Sequence, residues 1–105
     1  MLIGEVLSER HLLRLTGHGL EDGGFNKAVL TVGSTESHGL HLPHGTDTLV
    51  ATHIAEAVAE RVEGLLVLPA LPYGMSAHYS SFPVAVSLST ETLIHVLKDV
   101  LASLL

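Results

Sequence analysis

Two apolar runs dominate the hydropathy pattern: Ala28-Val29-Leu30-Thr31-Val32 and Leu65-Leu66-Val67-Leu68-Pro69. Neither alternates with polar residues, which suits strands covered on both faces, as in a parallel sheet. Between them, residues 48–61 carry Val50, Ile54, Ala57 and Val58 on one helical stripe that Val62 continues, and Gly64 closes the segment. This spacing predicts a crossover helix packed through that stripe. Upstream, Ser8 can cap a short helix over 9–15, with Leu12, Leu13 and Leu15 as its apolar surface. Residues 16–24 are glycine-rich and read as a loop. Downstream, residues 71–82 form a loop rich in Ser, Tyr, Gly and His, and 85–88 a short extended segment. Ser89 or Thr90 then caps a last helix, with Glu91 in its first turn and an apolar face of Leu93, Leu97, Val100, Leu101 and Leu104.

Strand, helix, strand, loop, helix is the opening of an α/β fold with right-handed crossovers. We expect one α/β domain over residues 1–105. A crossover helix ordinarily leads to another parallel strand, and here none follows the last helix, so the architecture reads as incomplete. An open apolar edge and an uncovered leucine stripe favour ordering through association, as a homo-oligomer or against a further segment.

Composition narrows the function classes. The formal net charge is −6, against the basic face that nucleic-acid binding needs. The chain has no Cys, so disulfides, thiolate metal sites and thiol nucleophiles are excluded. The segment Met1 to Val6 lacks a basic n-region and is not a signal peptide. No apolar run reaches the roughly 20 residues that span a bilayer. These features set the expectation of a cytoplasmic protein without nucleic-acid or membrane partners.

The chemistry concentrates between the first strand and the helix. Gly33-Ser34-Thr35-Glu36-Ser37-His38-Gly39-Leu40-His41-Leu42-Pro43-His44-Gly45-Thr46-Asp47-Thr48 holds a glutamate, three histidines and an aspartate at the carboxyl end of a strand. In open α/β sheets ligands bind there. Glu36 and His38 are two residues apart and leave one face of extended backbone. Gly39 and Gly45 permit the turning that returns Asp47 towards them. Mixed imidazole and carboxylate donors suit zinc, manganese or iron.

This stretch resembles the signature of the creatininase (creatinine amidohydrolase) family. A second match follows: Pro72-Tyr73-Gly74-Met75-Ser76, then His78, Phe82-Pro83 and Ser87-Leu88-Ser89. The resemblance runs from about Lys27 to Leu105. It departs from the usual pattern at Ser37 (usually Gln), Leu40 (usually Pro), His44 (usually Leu) and Val84-Ala85 (usually Gly-Thr). It implies a three-layer α/β/α parallel-sheet fold and a metal-dependent amidohydrolase acting on a small cyclic or linear amide. It also implies two divalent ions, with Glu36, His38 and Asp47 as ligands and Asp47 bridging. His41, Tyr73, Ser76 and His78 would surround the ligands or the substrate. Family members carry a later segment with further metal ligands that these 105 residues do not include. Activity of the chain alone is therefore not expected.

Other roles compete at several positions. Asp47 sits where an N-cap would, and capping and ligation can coexist. His44 replaces an apolar residue and reads as a surface histidine, as do His11, His18, His53 and His95. Ser34 and Ser76 lack a triad context for a nucleophile. The competing functional class is a noncatalytic metal-binding or interaction subunit that assembles through its open sheet.

Overall fold

The computed structural model describes residues 7–77 and 84–105. Its elements are helix α1 (Gly17–Asp22), strand β1 (Lys27–Val29), helix α2 (Thr46–Ala59), strand β2 (Leu65–Val67) and helix α3 (Thr90–Leu104). β1 and β2 pair in parallel, Lys27 opposite Leu65 and Val29 opposite Val67. The ladder continues past both strands, because the Leu71 N–H donates to the Thr31 carbonyl at 3.0 Å and the Gly33 N–H to the Leu71 carbonyl at 2.7 Å. The two apolar runs thus form the pair of parallel strands that their pattern predicts.

β2 is the centre of the molecule. Leu65, Leu66, Val67 and Leu68 are all buried. Leu65 and Val67 pack with Ala55 and Ala59 of α2, flanked by Val29 and Val62. Leu66 leaves the opposite face, where it borders a gap shared with Ala28 and with Leu104 of α3. Helices therefore lie on both sides of a parallel sheet, the three-layer α/β/α arrangement.

Several local expectations need correction. Residues 9–15 do not form a helix. The Val67 N–H donates to the Arg10 carbonyl at 2.9 Å and the Leu12 N–H to the Val67 carbonyl at 2.8 Å. The segment is spent on β2's free side as a parallel bridge at His11, so a long-range pairing overrides local helix preference. The short helix lies instead at Gly17–Asp22, within the expected loop, where the Thr16 hydroxyl accepts the Gly19 N–H at 3.0 Å. That hydroxyl supplies the cap that the glycines do not.

α2 does not pack through Val50, Ile54 and Val58 of its expected stripe, and of that stripe only Val62, just past the helix, lies against the core. Ala55, Glu56 and Ala59 are buried, while Val50, Ile54 and Val58 are exposed. Small side chains bring the helix close to the two-stranded sheet, and the branched ones point away. α3 follows its expected cap, the Ser89 hydroxyl accepting the Thr92 N–H at 3.2 Å with Glu91 in the first turn. Yet it buries no residue fully, and Leu101 and Leu104 remain 53% and 43% exposed. Burying such a side chain stabilises by about 1.5–3 kcal/mol, and α3 leaves much of that unrealised.

His11 is 1% exposed, not the surface residue its sequence context suggests. Its Nδ1 accepts the Leu13 N–H at 3.2 Å. Glu56, also buried, accepts the Ser8 N–H at 3.1 Å through Oε2, and so ties α2 to the same segment. Burial pushes the His11 imidazole below its ordinary value, and the Glu56 charge opposes this. With the folded value below the unfolded one, the unfolded chain binds more protons, so stability is lost as pH falls below about 6.5. Denaturant unfolding between pH 7 and 5 should show this loss in the wild type and a flatter dependence in His11→Asn, which keeps an acceptor for Leu13. Equal slopes would remove His11 as the cause.

Val84 has a φ of +55°. A β-branched residue is strained there, at a cost of about 1–3 kcal/mol. Glycine adopts this backbone freely, which accounts for the glycine of the related pattern. Replacing valine by glycine also loosens the unfolded chain, by about 0.5–1 kcal/mol. Val84→Gly should therefore raise unfolding free energy by about 1 kcal/mol on balance, and chemical denaturation measures it. A destabilised variant would mean that Val84 makes contacts worth more than its strain.

Candidate metal centre

The site is built where the end of the β1 ladder meets the start of α2. Gly33 permits the meeting, since a Cβ there would lie 2.6 Å from the Thr48 Cα. The next residue clasps the helix twice: the Ser34 N–H donates to the Thr48 hydroxyl at 3.2 Å, and that hydroxyl donates to the Ser34 carbonyl at 3.0 Å. The Ser34 hydroxyl then donates to Asp47 Oδ2 at 2.6 Å. Asp47 lies in the first turn of α2, with Gly45 at the cap position. Asp47 is thus not the N-cap; its carboxylate is turned back to the strand end.

The chain between Glu36 and Asp47 is a tight reversal. His38 bridges to Leu42, and Gly39 supplies a positive φ of 74°. The Glu36 N–H donates to the His44 carbonyl at 3.1 Å, and the Thr46 N–H to the Pro43 carbonyl at 3.1 Å. These bonds hold Glu36 and the start of α2 in one frame. His38 Nε2 lies 2.9 Å from Asp47 Oδ2 and 3.8 Å from Glu36 Oε1. One donor atom from each of the three residues falls within 4.8 Å of the others.

This arrangement fits a divalent cation. Bonds of about 2.0–2.2 Å place two donors on one zinc no more than about 4.4 Å apart, and both His38 distances lie inside that limit. The Glu36 side chain is only 12% exposed, with His38 Nε2 at 3.8 Å and no lysine or arginine paired to it among the described residues. A carboxylate that buried is costly without a counter-charge. The Ser34 hydroxyl holds the Asp47 carboxyl below its ordinary range, with His38 adding to the effect and burial opposing it. Asp47 is consequently ionised at neutral pH and presents a charged oxygen to the site.

The second matching segment lies alongside. The Thr35 hydroxyl donates to the Pro72 carbonyl at 2.7 Å, and the Val86 N–H to the Thr35 carbonyl at 3.0 Å. Gly74 stands against Gly33, its missing Cβ 3.1 Å from the Gly33 carbonyl oxygen. Tyr73 is 45% exposed beside this seam. Ser76 is buried, and its N–H donates to the Ser87 hydroxyl at 2.8 Å, which makes it a fastener between 72–76 and 85–88. His41 and His44 are exposed on the loop and outside the cluster of donors. His78, with Phe82 and Pro83, lies outside the described residues. Ser34 is the participant that sequence reasoning missed. A serine without a triad context offers no nucleophile, yet thirteen residues before the aspartate it is that residue's anchor.

The family model for creatinine amidohydrolase matches residues 14–105. The chain belongs to the creatininase family. It is 37% identical over 81 residues to the creatinine amidohydrolase of Pseudomonas putida, covering 72% of this chain and 31% of that protein. It is 40% identical over 80 residues to the mycofactocin precursor peptide peptidase of Mycobacterium tuberculosis, covering 68% of this chain and 32% of that one. Among solved structures, a mutant creatininase of Zn-Zn type superposes with a TM-score of 0.83 at 32% identity, over 93% of this chain and 41% of that chain. A creatininase in a Mn form gives the same TM-score at 31% identity. The creatininase likeness thus holds for nearly all of this chain, while the chain spans about a third of the length of these curated relatives. No helix among the described residues is long and apolar enough to cross a membrane.

Proposed function

We propose that this chain contributes part of a metal-dependent hydrolase centre that cleaves a C–N bond in a small cyclic or linear amide. The observation that carries the reading is the convergence of Glu36, His38 and Asp47, two carboxylates and one imidazole with donor atoms within 4.8 Å. Membership of a family whose relatives include a creatinine amidohydrolase and a peptide peptidase supports the reaction class.

The donor set suits two divalent ions, zinc or manganese before iron, in keeping with the forms of the solved relatives. Glu36 and His38 would serve different ions, and Asp47, with two carboxylate oxygens, would be shared. Bound divalent metal supplies carbonyl polarisation and an acidified water near neutral pH. The chain's own residues prepare for this. Ser34 fixes one Asp47 oxygen and favours its ionised form. His38 must present a neutral nitrogen, so loading releases protons and weakens in acid. Tyr73, nearly half exposed, would offer its hydroxyl to a substrate. His41, exposed on the loop between Glu36 and Asp47, would orient a ligand, and His78 belongs to the segment that would border the substrate. Three donors do not complete two coordination spheres, so turnover requires ligands from outside these 105 residues.

Asp47→Asn keeps the shape of the side chain but removes its charge. Isothermal titration with zinc and manganese should show affinity lost by at least the about 10–100-fold that supporting residues of metal sites command. His44→Ala should leave affinity unchanged. Equal losses, or none, would remove Asp47 from the site. An amide panel including creatinine and short peptides, run with a completed family domain, tests the reaction. Tight metal binding without hydrolysis there would favour the noncatalytic, metal-binding subunit.

A further inference from the structure

The candidate metal donors follow the carboxyl end of β1. A cavity of about 900 Å³ opens at the other end of the sheet. Its floor is the junction at which both strands begin: the Asn26 and Lys27 N–H groups donate to the Gly64 carbonyl at 3.0 and 3.1 Å. Gly64 has a φ of +76°, and a Cβ there would strike the Asn26 side chain, so the junction requires glycine. The end of α2, with Val62 just past it, forms one wall, and the segment 9–16 with α1 forms another. The Phe25 ring closes the side by occupying the space that a Cβ on Gly23 would take. α2 spans the distance to the donors. Asp47 lies in its first turn and Ala59 at its end, about 18 Å apart along a helix.

Arginine collects at this cavity. The chain has five Lys and Arg residues against eleven Asp and Glu. Three of the five, Arg10, Arg14 and Arg61, border the cavity. Arg14 is anchored, one guanidinium nitrogen donating to the Leu7 carbonyl at 2.7 Å. Glu9, Glu60 and Glu63 border the same space. Even so, no described carboxylate lies within 4.0 Å of any of the three guanidinium groups. Their forks are not consumed by ion pairs among the described residues. A guanidinium stays charged at all ordinary pH, and its planar fork matches the two oxygens of a carboxylate. Leu15, Phe25 and Val62 add apolar wall between the charges.

We propose that this cavity binds a small organic monoanion, a carboxylate carried on an apolar or aromatic body. Small-molecule sites run to roughly 300–1,000 Å³ and combine apolar walls with a few polar groups that fix orientation. Here the arginines recognise the head group, and Leu15, Phe25 and Val62 receive the body. The glutamates set the charge that is accepted. They repel a polyanion, while a single carboxylate held in an arginine fork leaves them far less opposed. The site is separate from the metal centre and does not rest on that reading.

Titration of the metal-free chain with 3-phenylpropionate, followed by calorimetry and by amide NMR, tests the site. The amides of Gly19, Gly23 and Gly64 should shift saturably, and those of Gly33, Gly39 and Gly45 should not move. 3-Phenylpropanol has the body without the charge, and pyrophosphate the charge without the body. Each should bind at least about tenfold more weakly. Arg10→Gln and Arg61→Gln should each lower affinity for 3-phenylpropionate about tenfold with an unchanged thermal midpoint. Lys98→Gln removes a cation that does not border the cavity, and it should lower nothing. Arg14 also holds the Leu7 carbonyl, so the decision rests on Arg10 and Arg61. Unmoved glycine amides would overturn the proposal. Equal binding of the alcohol would reduce the site to an apolar gap, and equal binding of pyrophosphate to unselective charge. Tighter binding of 2-phenylethylamine would assign the cavity to its glutamates. Any of these, or arginine variants that behave like Lys98→Gln, would contradict it.

Discussion

The candidate site depends on one clasp, made between the end of the β1 ladder and the first turn of α2. Ser34 and Thr48 exchange backbone and hydroxyl hydrogen bonds, and Ser34 also grips Asp47. Gly33 lets the two elements approach closely enough for this. Without the clasp Asp47 would be an ordinary acidic residue near a helix N-terminus, favoured there by the helix dipole alone. With it, the aspartate faces back to Glu36 and His38, and three residues spread over twelve positions become one cluster. A hydrogen bond to a charged group is worth about 1.5–3 kcal/mol. Asp47 is nearly half exposed, so its bond belongs at the low end, and its main effect is positional.

The strands and the convergence of the candidate donors were legible in the sequence for physical reasons. Uniform apolar runs declare buried parallel strands, and the placing of Glu36, His38 and Asp47 around two glycines declares a reversal with convergent donors. The packing of α2 was not legible in the same way. That helix is apolar on two sides, with alanines on one and Val50, Ile54 and Val58 on the other. A periodicity argument selects the larger side chains, whereas the small sheet accepts the smaller ones. His11 and the residues around it were misplaced because their partner, Val67, lies more than fifty positions away. Local propensity carries no information about that pairing. Ser34 escaped notice because serine is commonly weighed as a nucleophile and seldom as an aspartate's anchor.

The apolar surfaces left outside follow from the same architecture. α2 turns its branched side chains away from the sheet, α3 buries no residue fully, and among the described residues nothing pairs with the outer border of β1. A domain's net stability is only about 5–15 kcal/mol, so surfaces of this kind weigh heavily in whether the chain persists alone. They also link folding to chemistry. The candidate donors follow the carboxyl end of β1, so packing at that strand and the geometry of the cluster are linked.

The central claim is that His38 ligates a divalent ion within the cluster it forms with Glu36 and Asp47. X-ray absorption at the zinc edge, on chain loaded with one equivalent, tests this most directly. The account predicts a mixed nitrogen and oxygen shell with the scattering signature of a single imidazole. That signature should vanish in His38→Ala and persist in His41→Ala and His44→Ala. An imidazole signal that survives His38→Ala, or that disappears with His44, would contradict it.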